Sequence, residues 1–145
     1  MRRSSQHAVT VVLVLLMVYF SAPVIAQSRM SDKDVENMMK NLTNDAKSFR
    51  SAFDRAVSNS TIRKTSQEKG AKALSKNFVD QTQELLRQFQ DTKKVDSSLP
   101  LVLQRAKEIE ELKTDAALGP VIDSQWTKVR SELDAISRAF DVPPT

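Results

Sequence analysis

Five cations, Arg63, Lys64, Lys69, Lys72 and Lys76, crowd into residues 63–76. The wider window 47–76 holds eight Lys or Arg side chains against only Asp54 and Glu68. Such a concentration can read anions: lipid headgroups, anionic envelope polymers or the acidic face of another protein. The plainer reading is a solvated face, or pairing with the acidic residues that outnumber basic ones after residue 76. Lys69, Lys72 and Lys76 recur at helical steps early in a predicted helix. There the helix dipole disfavours cations, so local stability does not call for them. No aromatic side chain falls between residues 63 and 76, which leaves single-stranded nucleic acid without its stacking platforms.

The other chemically suggestive residues have simpler explanations. Glu108 and Glu111 share a helix face while Glu110 points elsewhere, and Arg105, Lys107 and Lys113 stand among them. That is the pattern of a charged helix surface, whereas acid–base chemistry needs a buried, perturbed carboxyl. Met30, Met38 and Met39 could bring thioethers to copper, but adjacent residues on a helix diverge by about 100°. Core filling explains the methionines better. Trp126 lies on an apolar stripe and, once buried, needs an acceptor for its indole N–H. The only histidine is His7, and there is no cysteine. Residues 27–145 therefore lack Ser-His-Asp and Cys-His nucleophiles, His-based zinc sites, Fe–S ligands and the Glu-x-x-His pair of di-iron bundles. They call for no catalytic residue, metal or cofactor.

Helices must position these side chains. Ser31 followed by Asp32 and Asp34 is a helix start. Val35, Met38, Met39, Leu42, Ala46, Phe49, Phe53, Ala56 and Val57 then mark one stripe. A second stripe runs through Ala71, Leu74, Phe78, Leu85 and Phe89, with Thr82 in one core-facing slot. Gly70 costs about 1 kcal/mol there relative to Ala. It marks either a late helix start or a close approach to the first helix. Ser97 reads as a cap and Pro100 as a first-turn residue before Val102, Leu103, Ala106, Ile109 and Leu112. Gly119-Pro120 separates that helix from the cleanest pattern in the chain, Ile122, Trp126, Val129, Leu133, Ile136 and Phe140. The predicted spans are 32–58, 64–94, 98–116 and 120–141. No segment alternates as a strand would. Four amphipathic helices on short connections close most simply as an all-α, antiparallel four-helix bundle.

Residues 1–26 have the layout of a signal peptide. Arg2 and Arg3 precede an apolar run from Ala8 to Phe20, and Val24-Ile25-Ala26 supplies small residues at a cleavage site. The apolar run is shorter than the roughly 20 residues of a spanning helix. An uncleaved anchor is the alternative, and it is the only membrane attachment foreseen. Residues 27–145 are then a single domain, secreted or periplasmic, with a modest core. Lacking cysteine, it must hold together by packing alone, which favours a bacterial over a eukaryotic exported protein. In a eukaryotic host, Asn41-Leu42-Thr43 and Asn59-Ser60-Thr61 would be glycosylation sequons.

Two runs resemble a group of small secreted helical bacterial proteins of unknown function. One is Phe49-Arg50-Ser51-Ala52-Phe53-Asp54-Arg55-Ala56, followed by Ser60, Ile62 and Thr65. The other is Trp126-Thr127-Lys128-Val129-Arg130-Ser131-Glu132-Leu133, ending in Phe140-Asp141-Val142. The resemblance implies an exported helical domain and carries no activity, ligand or catalytic residue.

The leading expectation is a non-enzymatic exported protein that works by contact, through the cations at one end of its first helical hairpin. Its partner would be an anionic envelope component or an acidic protein. A carrier of lipid or another small hydrophobe is the alternative, and it requires an internal apolar cavity. A histidine-free carboxylate hydrolase is the third, and it requires two carboxyls converging in a cleft.

Overall fold

The computed structural model describes residues 30–143. Within them the chain forms four helices and no strand: α1 (Asp32–Ser58), α2 (Ser66–Thr92), α3 (Ser98–Ala116) and α4 (Pro120–Ala139). The expected spans agree to within two residues at every end. The apolar leader expected at residues 1–26, with His7, lies outside the described residues. No described helix is long and apolar enough to cross a membrane.

Local chemistry explains most of the helix ends. The Ser31 hydroxyl accepts from the Asp34 N–H at 3.2 Å, and Asp32 and Asp34 sit at the positive end of the α1 dipole. At the start of α2, Thr65 accepts from the Glu68 N–H at 3.4 Å. Gly119, at φ 93°, takes a backbone conformation that few other residues adopt without strain, and Pro120 begins α4. Ser97 precedes α3 but makes no capping bond. Its hydroxyl instead accepts from the Gln88 side-chain amide at 2.8 Å, and Ser98 donates to the same amide's oxygen. The α2–α3 connection is thus clasped by Gln88. Gly70 lies inside α2, so it marks no late start. Nor does a neighbouring helix press on it, because a Cβ built there would meet nothing within 4 Å.

α1 packs against α2 and α4, and α2 also packs against α3, whereas α3 and α4 touch sparsely. The pairs joining α1 to α2 are Glu36 with Gln90, Thr43 with Thr82, Asp54 with Ser75 and Ser58 with Glu68. At the centre, Phe49 packs on Phe53 at 5.2 Å and on Trp126 at 4.8 Å between ring centroids, and Phe78 meets Trp126 at 5.7 Å. Leu42, Leu85, Ile109, Leu133 and Ile136 are fully buried around this cluster. Toward the ends of α2 and α4, Phe89 and Phe140 pack edge to face at 5.8 Å. Every stripe residue of α4 up to Ile136 is buried. In α2 the apolar face is wider than the stripe, because Val79 and Ser75 are buried as well.

Candidate contact surface

The α1–α2 connection is a tight polar turn. Ser60 donates to the Val57 carbonyl at 2.8 Å, and Thr65 donates to the Ile62 carbonyl at 2.5 Å. Glu68 organises what surrounds it. Its carboxylate accepts from the Lys64 N–H at 2.5 Å, the Ser58 hydroxyl at 3.1 Å and the Lys72 ammonium at 2.6 Å. The bond from Lys72, followed by that from the Lys64 N–H, holds the Glu68 carboxyl down at about 2. One acid therefore ties the last residue of α1, the turn and the first turns of α2.

The five candidate cations divide on this geometry. Lys72 is engaged by Glu68, and Lys76 pairs with Asp80 at 2.6 Å, four residues along the same helix. Both pairs are partly solvated, so each is a weak, local interaction that nonetheless occupies the cation. Arg63, Lys64 and Lys69 are exposed, and their charged ends make no bond or ion pair among the described residues. Lys64 has φ 63°, but so do other helix-end residues have positive φ: Lys93 at 58° and Ala117 at 46°. Its conformation is a feature of chain reversal. A shallow groove between α1 and α2 extends the polar surface through Lys47, Arg50, Asp54 and Asp80.

The glutamates of α3 have three different environments. Glu108 receives the Arg105 guanidinium at 2.6 and 2.8 Å. Glu110 accepts the Trp126 indole N–H, the partner that burial of the ring demanded. Glu111 lines a surface cleft beside Gly70 and Leu112. Met39 is fully buried, Met38 packs against the core, and Met30 is exposed. Among the described residues no group of His, Cys, Asp or Glu has the arrangement of a metal site.

One polar cluster lay beyond sequence reasoning. Asp45 of α1 and Glu132 of α4 face each other and share a hydrogen bond, and Lys128 donates to Asp45 at 2.9 Å. Burial, reinforced by the bond to Asp45 and its negative charge, pushes the Glu132 carboxyl up to about 7, against the opposing pull of Lys128. Burial would also raise Asp45, but its bonds to Lys128 and Glu132 prevail and hold it below its ordinary value. Of the two carboxyls, Asp45 therefore ionises first and Glu132 keeps its proton to higher pH. The second Glu132 oxygen is buried with no partner. The spacing from 45 to 132 carries no local signature, and only folding joins the two.

No family model, curated protein or solved structure matches this chain.

Proposed function

We propose that this is an exported, non-enzymatic helical protein that acts by contact, with Arg63, Lys64 and Lys69 as the surface that meets an anionic partner. The carrying observation is that these three cations stand exposed at the α1–α2 turn and the start of α2 with no carboxylate on their charged ends, while neighbouring Lys72 and Lys76 are paired. Lys33, Lys47, Lys94, Lys107 and Arg138 also lack an ion pair, but they are scattered over the chain, whereas Arg63, Lys64 and Lys69 lie close together in sequence and can meet one anion jointly. Four pairs, Glu36–Gln90, Thr43–Thr82, Asp54–Ser75 and Ser58–Glu68, support an antiparallel α1–α2 hairpin. Closing α3 and α4 onto it as an antiparallel four-helix bundle puts the α1–α2 turn at one end of the molecule. The leader-like residues 1–26 support export to the periplasm or medium, and the two sequence runs noted above support kinship with small secreted bacterial proteins.

The carrier reading is weaker because large side chains fill the interior: Phe49, Phe53, Phe78 and Met39 are all wholly buried at its centre. The hydrolase reading is weaker because Asp45 and Glu132 line neither groove, and of the carboxyls that do line the cleft beside Gly70, Glu108 is held by Arg105 while Glu111 and Asp115 are exposed to solvent rather than buried as acid–base chemistry requires.

The test is capture from the native envelope fraction by the full chain at low and high salt, beside a variant carrying Arg63→Glu, Lys64→Glu and Lys69→Glu. The screening length shrinks from about 10 Å at 0.1 M salt to about 3 Å at 1 M. Binding should therefore fall steeply with salt and be lost in the variant. Capture that survives both changes would remove these residues from the contact.

A further inference from the structure

A cleft of about 450 Å³ opens between the first half of α2 and the last turns of α3. Its apolar wall comes from Ile62, Ala71, Leu112 and Ala116. Its acidic rim comes from Glu108, Glu111 and Asp115, spaced by three and four residues so that one face of α3 carries all three. No lysine or arginine lines it among the described residues. Arg105 already occupies Glu108. Glu111 and Asp115 are exposed and have no hydrogen-bond or ion-pair partner among the described residues.

Two features of this cleft run against local stability. A carboxylate in the last turn of a helix faces the negative end of its dipole, and Asp115 sits there. Glycine inside a helix is unfavourable relative to alanine, and Gly70 is inside α2 with no close neighbour to require it. Gly70 lines the cleft. Any longer side chain at that position would project into space that is now open.

We infer that the cleft between α2 and α3 binds a small organic cation, an ammonium or guanidinium group carried on a compact apolar body. The cationic head pairs with Glu111 and Asp115, and the body lies against Ile62, Ala71 and Leu112. The volume falls within the range of small-molecule pockets, about 300–1,000 Å³. The ligand is opposite in charge to the partner of Arg63, Lys64 and Lys69, so this inference does not depend on that surface.

The experiment is an NMR titration of the full chain with tryptamine, a compact aromatic amine. Indole-3-propionate serves as the charge-reversed control, and spermidine supplies charge without an apolar body. Tryptamine should give saturable shifts at the amides of Gly70, Ala71, Glu111 and Leu112, and indole-3-propionate none. Spermidine should bind more weakly than tryptamine. Glu111→Gln combined with Asp115→Asn should weaken tryptamine by about tenfold or more, the loss expected for one charge-assisted bond. Gly70→Leu should abolish the shifts while helix content stays unchanged by circular dichroism. The inference fails if tryptamine shifts are absent or do not saturate, if spermidine or indole-3-propionate matches tryptamine, or if the double variant binds as the parent does. Should Gly70→Leu lose helix content, the double variant decides alone.

Discussion

Glu132 shows how one side chain can set a pH dependence for the whole chain. Its folded pKa is about 7, above the ordinary 4.5. Between those values the folded protein keeps a proton that the unfolded chain has released, so stability falls as pH rises through the window. Asp45 shifts the other way, and what it contributes is present at neutral pH and lost on acidification. Chemical denaturation at about pH 5 and pH 7.5 should therefore find the parent less stable at the higher pH. The expected difference is about 1 kcal/mol, because solvent screening at a half-exposed site discounts the full shift. Glu132→Gln should flatten the profile over that interval, and an unchanged slope would mean that other groups set it. Glu68 has the opposite sign: its folded pKa of about 2 makes its contribution full above about 4.5 and lost only as pH falls through 2. Glu68→Ala should leave global stability largely intact while amide exchange at Lys64 accelerates, since the turn loses its acceptor.

At the level of elements, α3 is the least securely held helix. Its sparse contact with α4 includes two polar links. One is the Trp126 indole to Glu110, and the other is Lys113 to Asp123 at 2.6 Å. Glu110→Ala would strand a buried indole N–H and should cost about 1–3 kcal/mol by thermal denaturation. Glu110→Gln keeps an acceptor and should cost less. Gly70→Ala should raise stability by about 0.5–1 kcal/mol, since helix propensity improves and the new methyl meets no neighbour. The contrast between these sites also marks what the sequence made legible. Helix spans and the buried faces of α1 and α4 follow from 3.6-residue periodicity, which is local and needs no partner. Trp126 needing an acceptor was equally legible, but that Glu110 supplies it depends on how α3 and α4 meet. Gly70 was ambiguous for the same reason: its two readings were a late helix start and a close approach to the first helix, and the folded helices show neither. The Asp45–Glu132 pair and the pairing of Lys72 and Lys76 divide likewise. The lysine pairs lie four residues along one helix from their acids, whereas the carboxyls come from opposite ends of the chain.

The molecule as a whole unfolds as one unit if its core is continuous, and one residue can report on this. Trp126 is the only tryptophan and is nearly wholly buried. It touches Phe49 of α1, Phe78 of α2 and Glu110 of α3 from its place on α4, so its environment samples all four helices. Domains of this size are stable by about 5–15 kcal/mol. Phe49→Ala removes a ring in contact with both Phe53 and Trp126, a change that typically costs about 3–5 kcal/mol. That is a large part of the total, and the variant should unfold at a far lower urea concentration with the same steepness. Tryptophan fluorescence and far-ultraviolet circular dichroism should follow coincident curves in the parent and the variant alike. If α3 separates first, fluorescence will change before helix content does, because the Glu110 bond breaks while α1, α2 and α4 still hold the ring. Divergent curves would then place the weak seam of the fold between α3 and α4, beside the cleft that Glu111 and Asp115 border.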